Sequence, residues 1–423
     1  MNKIFISILI IGSVTIAHLP LSPVAYAIGE EQSERQERKT QLVGPTVGKK
    51  VAKAFEAYGV EAEDGSNIDN ALTLLLEINA KKDYDIAFLD RFIGVMYAQK
   101  SDEKNAIIYL NKALAPDILN EKEHADSLKL VGDLQMQVQG YKEALVAYDA
   151  WMKFTGETDG NVWIKIAQAN LELKQYAKVI PAADNAIAVF GDKKNQNPHV
   201  LKLNSYYERK MFKECVEVLE TAVQLFPEVK LFWTQLASFY AMVEDYPKSL
   251  QTLDLAYKQG YLDKENEIKM LANLYAQSQI PHKAAVLMEK YIDSGVVPRD
   301  DKNLFTLANS WHAAQHIGKA AAYYGELAKM TNLSKHYSKQ GMLLNQDEQF
   351  AKAIVALKKA IEIGVSNEGR LNQSIAESYF YLENYKQANV YVQKALKDPK
   401  SRRTAKGWVT YIKDTAARKN VSI

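Results

Sequence analysis

The chain has 423 residues, 47% of them hydrophobic and 25% charged, with 53 basic against 51 acidic side chains. That balance supplies an extensive core and excludes a general pull toward nucleic acid or anionic membrane, so charge-driven recognition must be local. Gly (20) and Pro (11) are sparse beside Tyr (24), which suits tightly turned helices better than a sheet protein.

Lys3 is followed by an apolar run from Ile4 to Ala17, then Pro20, Pro23 and Ala25-Tyr26-Ala27. A short basic start, an apolar stretch and an A-x-A site describe a secretory signal peptide over residues 1–27, with Ile28 the expected mature N-terminus. The run is shorter than the about 20 apolar residues that span a bilayer. An uncleaved anchor is the alternative reading. The single cysteine, Cys215, lies far from the cleavage site, which excludes a lipid anchor there and any intrachain disulfide. The mature chain is expected to hold no integral membrane span and to be soluble outside the cytoplasm. Residues 28–45 read as a charged tether. The stretch Glu30–Gln41 has no hydrophobic residue, and Glu31/Arg35 and Glu34/Arg38 are spaced for i,i+4 pairs.

From about Thr46 the pattern is helical and repetitive. A small residue recurs at Gly94, Gly132, Ala167, Ala237, Ala272, Ala308, Gly341 and Ala376, with Leu203 in the one remaining slot. Successive steps are 38, 35, 36, 34, 35, 36, 33 and 35 residues. A second series runs Ala71, Ala106, Ala144, Val179, Cys215, Ser249, Ala284, Ala320, Ala353 and Ala388. Two antiparallel helices approach closely where they cross, and Gly, Ala or Ser keeps them from being pushed apart. Rings beside each crossing fill the gaps: Tyr97, Tyr206, Tyr240, Tyr275, Trp311 and Tyr379 after the first slot, and Tyr141, Tyr176, Phe212, Tyr246, Phe350 and Tyr385 before the second. A third small position appears at Ala113, Ala186, Ala222, Ala256, Ala360 and Ala395.

Period and residue order together resemble the tetratricopeptide repeat. The expected fold is all-α, a right-handed tetratricopeptide α-solenoid of about ten helix pairs. A divergent pair over residues 46–80 comes first, with helices near 46–58 and 67–80, followed by nine repeats up to residue 400. Residues 401–423 are expected to form a capping helix, because Ala405, Trp408, Tyr411, Ile412 and Ala416 recur at helical spacing while Arg402, Arg403, Lys406, Lys413, Arg418 and Lys419 lie mostly off that stripe.

Enzyme motifs fail on inspection. Gly44-Pro45-Thr46-Val47-Gly48-Lys49-Lys50 lacks the four residues between glycines, the Ser or Thr after Lys and the preceding strand of a phosphate loop. His312 and His316 have a metal-binding spacing without a third ligand. Cys215 falls in a crossing slot, where a buried inert thiol is expected. Trp163 and Trp233 read as core, not as ligand platforms. No catalytic residue, cofactor or metal is expected, and no nucleic acid.

A partner protein or peptide would lie in the concave groove lined by the first helix of each repeat. One position beyond each first slot stand Gln168, Asn204, Ser238, Asn273, Asn309, Met342 and Glu377, mainly polar and expected to face that groove. Lys269 and Asn273, then Thr306 and Asn309, then Lys335 and Lys339 make a candidate cluster across repeats six to eight. It resembles the two-carboxylate clamp of chaperone-binding tetratricopeptide domains, with Thr306 where that pattern has Asn and Lys339 where it has Arg. The resemblance implies capture of a C-terminal carboxylate or an acidic segment, less selectively than with an Arg fork. Lysines are common on helix surfaces, so chance is the competing explanation.

Idiosyncratic stretches carry a further likeness: E-R-K-T at Glu37–Thr40, Y-x-K-V-I-P at Tyr176–Pro181, L-F-P-E-V-K-L-F-W-T-Q-L at Leu225–Leu236, K-A-A-V-L-M-E-K at Lys283–Lys290, N-L-F-T-L-A-N-S-W at Asn303–Trp311, and the D-P-K-S-R-R-T-A-K-G-W-V-T-Y-I-K ending. Together they resemble a family of gammaproteobacterial periplasmic tetratricopeptide proteins regarded as components of the TonB system. The turn through Gly59–Asn67 is longer than that family's pattern. The resemblance implies a periplasmic accessory of TonB, ExbB and ExbD in uptake of iron chelates. A scaffold for peptidoglycan or outer-membrane assembly is the alternative with the same fold.

Overall fold

The computed structural model describes residues 38–59 and 66–423, so the expected signal peptide and most of the tether lie outside the described residues. The chain divides into two compact units, meeting at Arg209 and Lys210. The first holds α1 (Pro45–Tyr58), α2 (Ser66–Leu76), α3 (Asp83–Gln99), α4 (Glu103–Leu114), α5 (Glu121–Gln137), α6 (Tyr141–Thr155), α7 (Gly160–Glu172), α8 (Tyr176–Phe190) and α9 (Asn197–Glu208). The second holds α10 (Phe212–Leu225), α11 (Lys230–Met242), α12 (Tyr246–Lys258), α13 (Glu265–Gln277), α14 (Pro281–Asp293) and α15 (Asp301–Ala313). It continues with α16 (Ile317–Thr331), α17 (Ser334–Gln346), α18 (Phe350–Ile363), α19 (Glu368–Tyr381), α20 (Tyr385–Lys397) and α21 (Arg402–Arg418). Every element among the described residues is a helix, and within each unit successive helices pack on one another as in an α-solenoid.

The turns inside the pairs follow one design. A residue with positive φ follows the first helix of each repeat after the α1–α2 pair: Ser101, Gln139, Lys174, Lys210, Glu244, Gln279, Gln315, Glu348 and Glu383, at φ between 56° and 64°. Each lies seven residues beyond the first small slot. None is glycine. At the turns within each unit the next residue sends its N–H back to the carbonyl of a residue five positions earlier, as in Asp245 to Tyr240 at 2.8 Å and Ile280 to Tyr275 at 2.8 Å. That is the Schellman closure, which satisfies carbonyls the helix end would leave bare. The same residue then caps the second helix, with Asp102, Asp245 and Asn384 accepting from backbone N–H groups of the first turn. Within each unit two residues thus reverse the chain, which makes the paired helices antiparallel.

The crossings are as tight as the small residues imply. A Cβ at Gly94 would meet Leu110 at 2.8 Å and the Ala106 carbonyl at 3.2 Å. At Gly341 it would meet Leu357 at 2.5 Å and the Ala353 carbonyl at 3.2 Å. Ala106, Ala144, Val179, Cys215, Ser249, Ala284, Ala320, Ala353 and Ala388 are all fully buried, as are the six alanines of the third series. Tyr240, Tyr275 and Trp311 are buried beside their crossings, whereas Tyr246 is exposed.

In the second unit, carboxylates on α10, α12 and α14 tie three successive repeats to the next. Glu220 on α10 accepts from the Tyr240 hydroxyl and pairs with Lys248 at 3.5 Å. Asp254 on α12 accepts from the Tyr275 hydroxyl. Glu289 on α14 takes Lys319 at 3.0 Å and the Tyr323 hydroxyl at 2.6 Å. The ammonium groups of Lys248, Lys283 and Lys319 lie over the rings of Tyr240, Tyr275 and Trp311 at 5.2, 5.2 and 4.0 Å.

At the start of the first unit, residues 38–44 are held against helices. The Arg38 guanidinium donates to the Leu119 carbonyl at 2.9 Å, pairs with Asp117 and covers the Phe154 ring at 4.7 Å. Gln41 exchanges hydrogen bonds with Asn120, and the Gly44 N–H donates to Asp85 at 2.8 Å. At the other end α21 buries Ala405, Ile412 and Ala416 on α20. Tyr411, which the helical spacing assigns to the same stripe, stands 51% exposed at its edge.

Candidate functional site

The first helices of the second unit present the groove positions. Ser238, Asn309, Met342 and Glu377 are half-buried there and Asn273 is exposed, while in the first unit Gln168 is exposed and Asn204 half-buried. None of the seven is in the core. Neighbouring first helices touch through this layer: Ser238 lies against the Met270 sulfur at 3.8 Å, and Ser374 against the Met342 sulfur at 3.3 Å. Glu377 is held above the usual carboxylate range by burial, partly offset by the Gln373 amide.

A cavity of about 590 Å³ opens in this layer, lined by Ala276 and Gln279 at the end of α13, Pro281 of α14, and Phe305, Thr306, Asn309, Ser310 and Ala313 of α15. Its position follows from the repeat. Small residues at 276, 310 and 313 leave room where α13 turns into α14, and Phe305 is 45% exposed at the rim. Asn309 is fixed from below, its side-chain oxygen accepting from the Tyr324 hydroxyl at 2.5 Å, and its amide N–H groups have no partner among the described residues. Thr306 donates to the Lys302 carbonyl at 3.0 Å, a bond within its own helix.

Of the six residues singled out by sequence, the structure brings Thr306 and Asn309 into this cavity and places the others on flanking first helices. Lys269 on α13 already pairs with Glu265 at 3.1 Å. Lys335 and Lys339 on α17 have no ion-pair partner among the described residues, so α17 presents two free cations. Lys339 helps to depress the His312 pKa, after burial. His336 is depressed by burial and then by Lys335, with Asp301 opposing. Both imidazoles are thereby biased toward the neutral form.

The site also contains residues that the sequence reading passed over. Phe305, Tyr324 and His336 form a ring cluster with centroids 6.1–6.4 Å apart beneath the rim. Phe305 lies four residues before Asn309, one helical turn away on the same face, and that spacing could have found it.

His316 does not act with His312. Its ring lies 5.2 Å from that of His282 and 5.0 Å from that of Trp311. Among the described residues no group of three His, Cys, Asp or Glu side chains could hold a metal ion. Cys215 is buried and its thiol pushed up to about 12, first by burial, so it is chemically quiet. Residues 45–50, part of the stretch that fails the phosphate-loop pattern, are the first turns of α1. Trp233 and Trp163 are half-buried against the core, the former donating to the Pro227 carbonyl at 2.9 Å. No helix of the described residues is long and apolar enough to cross a membrane.

Helix pairs with small crossing residues, two-residue turns and a polar first-helix face define a tetratricopeptide-type α-solenoid. No family model matches the chain, and no curated protein does. Solved structures are similar in fold. A tetratricopeptide repeat protein from Parabacteroides merdae is 13% identical over 63% of this chain and 99% of its own, with a TM-score of 0.35. YrrB, described as a TPR protein with an unusual peptide-binding site, is 17% identical over 45% of this chain and 99% of its own, at 0.34. The structure of Naa15/Naa10 bound to HypK-THB is 15% identical over 88% of this chain and 63% of the other, at 0.45. At such scores the helix packing described above, not the likeness, defines the fold.

Proposed function

We propose that this protein is a non-catalytic periplasmic scaffold that holds a segment of a partner protein in the groove of its second unit, as an accessory of TonB/ExbB/ExbD-energised uptake of iron chelates. The observation that carries the groove reading is the cavity beside Phe305, Thr306 and Asn309, an apolar anchor point rimmed by hydrogen-bonding groups and flanked by the unpaired Lys335 and Lys339. Such a mix of a few polar groups around an apolar recess is how peptide and small-ligand sites fix orientation. The segment held there is acidic or ends in a carboxylate, matching the α17 cations. The export reading rests on Lys3, the apolar run and Ala25-Tyr26-Ala27, and the TonB assignment on the sequence stretches quoted above.

The test is in-cell crosslinking from a photoreactive residue at position 305, with partner identification, alongside iron-chelate uptake in a deletion strain. Crosslinks to TonB-system components and slowed uptake are expected. Normal uptake, with crosslinks to cell-wall or outer-membrane assembly proteins, would replace this reading with the envelope-assembly one.

A further inference from the structure

The turns that close α13 and α15 bring two histidines together. Gln315, at φ 62°, ends α15, and the His316 N–H returns to the Trp311 carbonyl at 3.0 Å. His316 thereby becomes the N-cap of α16 and leaves the helix that carries His312. The imidazole it meets is that of His282, in the first turn of α14, which follows the equivalent closure from Ile280 to Tyr275. Both rings are exposed, with centroids 5.2 Å apart and planes inclined at 43°. Each also meets the buried Trp311 ring edge to face, His282 at 5.5 Å and His316 at 5.0 Å.

Ring packing alone does not account for this pair. Aromatic pairs prefer an offset stack or a T, and the two imidazoles adopt neither. Their separation is that of two ligands on one ion. An ion about 2.0–2.1 Å from one nitrogen of each ring stands about 3.2 Å from each ring centre, and a tetrahedral angle then sets the centres about 5 Å apart. The last side-chain torsion of histidine is broad and two-fold, so either nitrogen of each exposed ring reaches the shared point. The neighbouring cations are already compensated. Lys319, over the Trp311 ring at 4.0 Å, is held by Glu289 at 3.0 Å, and Lys283 interacts with Asp254.

We propose that His282 and His316 together bind one divalent transition-metal ion of borderline softness, Zn²⁺ or Cu²⁺. Imidazole suits these ions, whereas Mg²⁺ and Ca²⁺ take oxygen ligands. Two protein ligands leave the remaining positions to water, so the ion exchanges readily and is held less tightly than in a closed four-ligand site. Neither histidine lines the groove cavity, so the metal site stands apart from the partner segment proposed for the groove.

Titration calorimetry of the full, tag-free chain with zinc, copper(II) and magnesium chlorides tests this. One Zn²⁺ or one Cu²⁺ is expected per chain, Cu²⁺ the tighter, with no binding of Mg²⁺. His282→Gln and His316→Gln, both at exposed positions, should each weaken binding about tenfold or more, one decade of affinity, with the helical circular dichroism unchanged. His312→Gln should leave it unaltered. Electron paramagnetic resonance of the Cu²⁺-loaded chain should show coupling to two imidazole nitrogens, and to one in either single variant. The proposal is overturned if neither Zn²⁺ nor Cu²⁺ binds, if Mg²⁺ binds equally, if the parent chain shows a single coupled nitrogen, or if either the His282 or the His316 variant keeps full affinity. Loss in His312→Gln as large as in His282→Gln would also overturn it, by moving the ion to the other histidine pair. None of these results touches the groove reading, which rests on Phe305, Asn309 and the α17 lysines.

Discussion

Ser249 donates from its hydroxyl to the carbonyl of Ala237 at 2.7 Å, joining the two small slots of one repeat through a buried bond. The slot therefore tolerates a hydroxyl only because a carbonyl lies across the crossing. Ser249→Ala should cost about 1 kcal/mol, the net worth of one hydrogen bond. Ser249→Leu should cost about 3 kcal/mol or more, since the site is fully buried and overpacking forces the helices apart. Chemical denaturation of the two variants checks the order; equal losses would mean that the crossing yields easily.

Nine non-glycine residues hold positive φ at the pair turns, and Glu348 at φ 57° is an exposed example. The left-handed region costs an L-residue about 1–2 kcal/mol, against the roughly 0.5–1 kcal/mol that glycine loses in chain entropy. Glu348→Gly should therefore raise stability by a few tenths to about 1 kcal/mol. Glu348→Val, β-branched, should lower it by more than that. Both are read from the denaturation midpoint, and a Gly variant less stable than the parent would count against the turn geometry.

Three histidines are buried toward neutrality: His199 and His336 by burial and a neighbouring lysine, against an opposing aspartate, and His312 by burial and Lys339. Each has a folded pKa below its unfolded value of about 6.5, so unfolding takes up protons. Their contribution is present above pH 6.5 and is lost as pH falls through the folded values. Stability should therefore decline as pH falls below about 6.5, and His336→Gln should flatten that slope. An unchanged slope would show that folding does not move the His336 pKa.

Much of this architecture is legible because the crossings constrain residue size directly. The small slots and their drifting period of about 35 residues give the pairs and their order. The turns were not legible. Glycine is the usual mark of a left-handed position, and here Ser, Gln, Lys and Glu occupy all nine. The ties between repeats were hidden for another reason, since Glu220 reaches Tyr240 and Lys248 across 20 and 28 residues of chain and no local pattern records such a meeting. The groove was half legible. Asn309 and Thr306 fall at countable positions, but that Lys269 is already occupied by Glu265, and that Tyr324 fixes Asn309, depends on rotamers that spacing does not specify.

That last difference separates the lysines of the groove. Lys269 is paired within its helix, so Lys269→Ala should weaken capture of an acidic peptide by less than about threefold, in keeping with the small worth of exposed ion pairs. Lys335 and Lys339 have no such partner among the described residues and are free to meet an incoming carboxylate. Lys335→Glu/Lys339→Glu should lower affinity by tenfold or more, about 1.4 kcal/mol per decade, and the loss should shrink at high salt as screening takes over. Phe305→Ala should weaken binding without this salt dependence, because it removes an apolar contact. Titration calorimetry at low and high salt distinguishes these behaviours. If the Lys269 variant proved the most damaging of the three, the Glu265 pair would have to open on binding, and the carboxylate would sit against α13 instead of α17.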